Sequence, residues 1–146
     1  MNVIIYCDGA SRGNPGPAST AFCAYEGEKL LYENAEYVGI TTNNIAEYKA
    51  VVMAYDWLIS FSHDHKISKV DFYFDSELVT KQLKGEYKVK SNLLIPLVLK
   101  IKKLEREQPF PIFYHHVRRA QNTRTDELAN KVLDDLMNSK RASRFT

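Results

Sequence analysis

No apolar run in this 146-residue chain approaches the roughly 20 residues needed to cross a bilayer, which excludes a helical membrane span. The opening Met1-Asn2-Val3 lacks the basic and apolar regions of a secretory signal, so a cytoplasmic protein is expected. Cysteine is scarce: Cys7 and Cys23 make no metal-ligand spacing and fall in two predicted neighbouring strands, where buried, reduced thiols are expected. There is no internal repeat, no low-complexity block and no linker, and the length leaves room for one domain with a substantial core.

What is present is unevenly spread. Residues 1–80 carry 5 Lys/Arg against 11 Asp/Glu, whereas residues 81–146 carry 15 against 7. The stretch 81–107 is led by Lys81, Lys84, Lys88, Lys90, Lys100, Lys102 and Lys103. An acidic centre beside a basic flank suits a polyanionic substrate presented to metal ions. Charge alone equally allows the lysines to be the solvated faces of two helices.

The hydrophobic pattern predicts the order β-β-β-α-β-α-α-β-α. Strand one covers about 3–8, strand two 19–25, and Glu26-Gly27-Glu28 turns the chain into strand three near Leu30 to Val38. A long helix opens with Asn43-Asn44 as its cap and carries Ile45, Tyr48, Val51, Val52, Tyr55, Leu58 and Ile59 at helical spacing. Strand four spans 69–75, a short helix runs from Ser76 to Leu83, and Gly85 stops it. A helix from Leu93 to Glu107 keeps Pro96 in its first turn, and strand five spans Pro111 to Val117. The last helix begins between Ala120 and Thr123 and is expected to bury Leu128, Ala129, Val132, Leu133 and Leu136. From Asn138 a frayed basic tail is expected. This order implies an α/β fold, a mixed five-stranded sheet with helices on both faces, whose sites form beyond strand ends.

Four acids sit at such ends. Asp8 closes the run Val3 to Cys7 ahead of a Gly/Pro loop, and Asp75 closes Val70 to Phe74. If the two strands are neighbours, alternation places Tyr6 with Asp8 and Tyr73 with Asp75 on one face, with Cys7, Phe72 and Phe74 on the other. Glu47 and Asp126 fall in the first turns of helices, where the dipole favours negative charge by roughly 0.3–1 kcal/mol. Each acid taken singly is explained as a cap or a strand end. Gathered together they need compensation, since a carboxylate pair at about 4 Å repels by about 4 kcal/mol at an effective dielectric near 20. Protons or divalent cations can supply it, and an all-oxygen donor set selects Mg²⁺ or Mn²⁺.

Four blocks carry a resemblance. Asp8-Gly9-Ala10-Ser11-Arg12-Gly13-Asn14-Pro15-Gly16, Thr41-Thr42-Asn43-Asn44-Ile45-Ala46-Glu47, Asp75-Ser76-Glu77-Leu78-Val79 and Asn122-Thr123-Arg124-Thr125-Asp126-Glu127-Leu128-Ala129 together resemble type 1 ribonuclease H, over residues 1 to 137, with 138–146 left as the tail. The resemblance implies an endonuclease that cuts the RNA strand of an RNA/DNA hybrid with two Mg²⁺ or Mn²⁺ ions, leaving 5′-phosphate and 3′-hydroxyl ends. It implies Asp8, Glu47, Asp75 and Asp126 as the metal-binding carboxylates and His116 as the histidine that assists proton transfer, with Arg119 as its substitute.

By the same resemblance Gly9, Ser11, Asn14, Thr42, Asn44 and Glu77 are substrate contacts, several of them along the minor groove where 2′-hydroxyls distinguish RNA. Glu77 stands where many members have glutamine and can accept but not donate a hydrogen bond. Ile40 stands where some members place arginine. Between Gly85 and Leu93 there is no room for the basic protrusion of many bacterial members, so the chain looks like the compact subfamily, with Lys84, Lys88 and Lys90 supplying part of the missing phosphate attraction. A monomer is expected. The competing readings are a nuclease of the same fold acting on double-stranded RNA or DNA, and a non-catalytic nucleic-acid-binding module.

Overall fold

Alternation in the first half of the chain builds a sheet whose buried face is read directly from the sequence. In the computed structural model, which describes residues 1–144 with side chains through Lys140, β1 spans Asn2–Ser11, β2 Gly16–Glu26, β3 Lys29–Thr41, β4 Lys69–Phe74 and β5 Ile112–His116. The strands lie in the order β3-β2-β1-β4-β5. The first three form an antiparallel meander, while β4 joins β1 and β5 joins β4 in parallel. β3 extends to Thr41, three residues past its expected end, because every added residue finds a partner on β2.

On one face Val3, Ile5 and Cys7 of β1, Phe22 and Ala24 of β2, and Val70, Phe72 and Phe74 of β4 pack under the long helix α1 (Asn43–Ser62). Tyr48, Val51, Tyr55 and Leu58 fill that interface, together with Ala46, Ala50 and Ala54. The three alanines, each one turn apart, let α1 lie close to the sheet; a search for large apolar residues passes over them. The Tyr55 and Tyr114 hydroxyls pair at 2.7 Å, which satisfies both polar tips inside the core. The opposite face carries Tyr6 stacked on Tyr73, with ring centroids 5.2 Å apart, as the alternation requires.

Helix ends follow their sequence signals with some shifts. Thr42, not Asn43 or Asn44, caps α1: its hydroxyl accepts from the Ile45 amide at 3.3 Å. Ser76 does the same for α2 (Glu77–Leu83) through the Val79 amide at 3.2 Å. α2 ends in a Schellman motif, in which Glu86 N–H donates to Lys81 C=O and Gly85 N–H to Gln82 C=O, with Gly85 at φ +81°. α3 (Ile95–Glu107) starts two residues later than expected, with Pro96 in its first turn.

After β5 a 3₁₀ turn (Arg119–Gln121) leads into α4 (Thr123–Arg144), which crosses the second face of the sheet. Ala129 and Leu133 are its fully buried apolar residues among the described side chains, while Leu128, Val132 and Leu136 are half-buried at the margin. α4 continues to Arg144, through the stretch that the sequence suggested would fray; residues 145–146 lie outside the described chain. Among the described residues no helix is long and apolar enough to cross a membrane. Cys7 and Cys23 are buried and free.

Candidate active site

The parallel pairing of β1 and β4 sets the site. Tyr6 is opposite Tyr73, so two residues further along each chain Asp8 and Asp75 come side by side. Asp75 follows the end of β4 as expected, but Asp8 does not close β1, which runs on to Ser11 because Gly9, Ala10 and Ser11 still pair with β2. Glu47 comes from the second turn of α1. It is held against β1 by Gly9, where an added Cβ would stand 2.4 Å from the Glu47 amide nitrogen and 2.8 Å from the Ala46 Cβ. Only a residue without a side chain lets helix and strand approach that closely. Asp126 enters from the first turn of α4, whose position is fixed by Asn122: its amide donates to Cys7 C=O at 3.0 Å.

The four carboxylates thus line one open cavity of about 380 Å³, together with Gly9, Ser11 and Arg119 from the sequence-based set. Asn43, Ser76 and Asn130 line it as well; from the sequence Asn43 was expected only as a helix cap, Ser76 only as a helix start, and Asn130 had no expected role. Asn130 had one available signal, its spacing of one helical turn from Asp126. A larger cavity of about 570 Å³ lies between β3 and α1, against Tyr32, Met53 and Trp57, and contains none of the four acids.

Electrostatics make the site unsettled without a cation. Asp8 is 5% exposed; its Oδ1 accepts from the Gly9 amide at 3.0 Å, and its buried Oδ2 has no hydrogen-bond partner. Burial first, then the charges of Asp75, Asp126 and Glu47, push its carboxyl up to about 9. Burial and the Asp75 charge push Glu47 up to about 8, against a favourable hydrogen bond from Ser76. Asp75 is also raised, mainly by burial, with Asn122 and Arg119 pulling the other way. Among the described residues no three His, Cys, Asp or Glu side chains already close around a single point. The donor set is nonetheless all-oxygen, and a divalent cation would satisfy both the orphaned Oδ2 and the mutual repulsion. The residues therefore fit Mg²⁺ or Mn²⁺.

The remaining sequence-based residues do not line this cavity. His116, exposed at the end of β5, places Nε2 3.3 Å from the Asp75 carbonyl oxygen, while its neighbour His115 turns to the other face and pairs with Asp71 at 2.7 Å. Asn14 is exposed and its Oδ1 accepts from the Asn43 amide at 3.1 Å; the Ser11 hydroxyl donates to Asn43 Oδ1 at 2.6 Å. Thr42 is occupied as the α1 cap, with its hydroxyl hydrogen still free to donate, and Asn44 is half-buried in the first turn of α1. Glu77 is exposed and ion-paired with Lys81 at 2.7 Å, which holds its carboxyl below the usual range. Lys84, Lys88 and Lys90 are exposed along the segment between α2 and α3.

Comparison with known proteins gives this arrangement its relatives. A curated ribonuclease HI of Halobacterium salinarum is 36% identical over 135 residues, covering 89% of this chain and 63% of its own length. A bifunctional protein of Mycobacterium tuberculosis is 35% identical over 136 residues, covering 92% of this chain; this chain spans 36% of that protein. The crystal structure of LC11-RNase H1 in complex with an RNA/DNA hybrid superposes with a TM-score of 0.88 at 37% identity, over 92% of this chain and 99% of that one. The RNase H1 structure from Halobacterium salinarum gives 0.84 at 35% identity, over 92% and 99%. The family model described as RNase H matches residues 1–134, all four carboxylates among them, and the chain belongs to the RNase H family.

Proposed function

We propose that this protein hydrolyses the RNA strand of RNA/DNA hybrids, using two Mg²⁺ or Mn²⁺ ions held by Asp8, Glu47, Asp75 and Asp126. The observation that carries the reading is the convergence of four carboxylates on one cavity, with one buried oxygen of Asp8 left unpartnered. When bound, the ions supply activation of the attacking water and neutralise charge at the leaving oxygen of an in-line displacement at phosphorus. Attack by water with departure of the 3′-oxygen leaves a 5′-phosphate and a 3′-hydroxyl.

The protein's own groups do the rest. Asp8, on β1, and Asp75, directly after the paired strand β4, form one side of the site; Glu47 and Asp126, each on a helix, close it. His116 stands at the cavity edge, exposed and next to Asp75, where it can carry a proton between the site and solvent. Arg119 lines the cavity and offsets the Asp75 charge. Asn14 and Asn44, where the β1–β2 loop meets the α1 amino terminus, and Glu77 contact the minor groove, Thr42 offers its hydroxyl to a DNA phosphate, and Gly9 and Ser11 complete the substrate contacts. Lys84, Lys88 and Lys90 attract the phosphate backbone. All four carboxylates belong to one chain, which supports action as a monomer, and the free buried thiols suit the reducing cytoplasm.

The test is product-end analysis on an end-labelled RNA strand annealed to DNA, with Mg²⁺, Mn²⁺ or chelator. Metal-dependent fragments bearing 5′-phosphate and 3′-hydroxyl are expected. Cleavage that persists in chelator would reject the metal-dependent reading, and 2′,3′-cyclic phosphates would show that the RNA 2′-hydroxyl, not water, is the nucleophile and would reject it as well.

A further inference from the structure

Arg12, on the loop after β1, reaches across 118 residues of sequence to α4. Its Nη2 donates to Asn130 Oδ1 at 3.1 Å, to the Asn130 carbonyl at 3.3 Å and to Asp134 Oδ1 at 2.9 Å. Asn130 in turn donates through Nδ2 to Asp126 Oδ1 at 3.1 Å and to the Asp126 carbonyl at 2.9 Å. Guanidinium can only donate and an ionised carboxylate can only accept. The amide between them therefore has one orientation that satisfies both ends: oxygen toward Arg12, nitrogen toward Asp126. Stability alone gives little reason for the link, because Asp134 is 59% exposed and a surface ion pair of this kind is worth about 0–1 kcal/mol.

We infer that Arg12 and Asn130 are a positioning pair that fixes Asp126 for divalent-cation binding, an inference that rests on the four-carboxylate reading above. With Oδ1 engaged by Asn130, the Asp126 carboxylate has a set rotation and its other oxygen is left for a cation. Arg12 sits two residues before Asn14, and Asn14 is tied to the α1 amino terminus. One loop is thus anchored on both sides of the cavity, to α1 through Asn14 and to α4 through Arg12, so the loop and the fourth carboxylate are set together.

The measurement is Mn²⁺ binding by titration calorimetry on the hybrid-free protein, with thermal midpoints and with kcat and KM for a hybrid at limiting and saturating Mn²⁺. Asn130→Ala places the best helix former at its site. It is expected to weaken Mn²⁺ binding by about 10-fold or more, the usual scale for a residue that orients a metal ligand. It should lower kcat most at limiting Mn²⁺ and leave KM for the hybrid near the wild-type value. Arg12→Ala should lose affinity in the same direction but less, Arg12→Lys should restore part of it, and the double variant should match Asn130→Ala, because Arg12 acts through Asn130. Should Asn130→Ala fail to fold, Arg12→Ala against Arg12→Lys decides. Unchanged Mn²⁺ affinity in both alanine variants, or a rise in KM for Arg12→Ala with Mn²⁺ binding untouched, overturns the inference and makes Arg12 a phosphate contact. Wild-type protein that binds no Mn²⁺ overturns the four-carboxylate reading as well, whereas binding that Asp8→Asn abolishes and Asn130→Ala leaves intact overturns only the pair.

Discussion

Asp8 carries the largest conflict in the molecule between local stability and function. An unfolded aspartate ionises near 3.8, whereas in the folded, cation-free protein burial and three neighbouring acids hold the Asp8 carboxyl up to about 9. Between those values the native state binds a proton that the unfolded state has released, so stability falls as pH rises through this window. Glu47 contributes in the same direction up to about 8. Asp8→Asn removes the titration and mimics the neutral form. In chelator, the variant and the wild type should melt at similar temperatures near pH 4, and the variant should melt progressively higher as the pH is raised toward 9. Saturating Mg²⁺ should narrow the difference by stabilising only the wild type. Melting curves that stay parallel across the range would contradict the electrostatic account of the site.

At the scale of elements, the site depends on how closely α1 lies to β1 and on the basic segment between α2 and α3. A Cβ at residue 9 has backbone on its far side rather than a flexible side chain, so it cannot be accommodated by a rotamer change. Gly9→Ala should destabilise the fold by about 1–3 kcal/mol in urea denaturation, the cost of overpacking, and should displace Glu47 enough to reduce cleavage more than hybrid binding. A variant with wild-type stability would show that α1 is not held by this contact. Lys84, Lys88 and Lys90 are exposed, and of these three only Lys84 has an ion-pair partner among the described residues, Glu86 at 3.5 Å. Replacing the three by serine should lower the slope of log K against log salt by about 1–3, as each lost phosphate contact releases roughly one counterion fewer. An unchanged slope would return these lysines to the role of a solvated face.

Across the whole molecule, what the sequence displays and what it hides divide by distance along the chain. Alternation in Val3 to Cys7 and Val70 to Phe74 is local, so the facing of Tyr6 with Tyr73 was legible and the structure pairs them as expected. The end of β1 was not legible, because Gly9 to Ser11 continue the strand against β2 despite the glycine and leave Asp8 inside it. Helix caps were legible to within a residue or two, because Thr42, Asn43 and Asn44 are all competent caps and only the backbone geometry chooses Thr42. The alanine stripe of α1 was missed because small residues carry no hydropathy signal even when contact depends on their size. The link from Arg12 to Asn130 was not legible, since only the folded sheet brings residues so far apart in sequence together.

The central claim joins these scales: four acids from two strands and two helices act as one metal-dependent site on the RNA of a hybrid. Its most direct test is cleavage of an RNA strand labelled at one end, paired in turn with DNA and with RNA, beside a DNA/DNA duplex, by wild-type protein and Asp8→Asn in Mg²⁺ or Mn²⁺. The account predicts metal-dependent cuts confined to the RNA of the hybrid, with the Asp8→Asn rate reduced to the background of the assay. Equal cleavage of all three duplexes would contradict hybrid selectivity, and folded wild-type protein that cuts none of them with either metal would contradict the catalytic assignment itself.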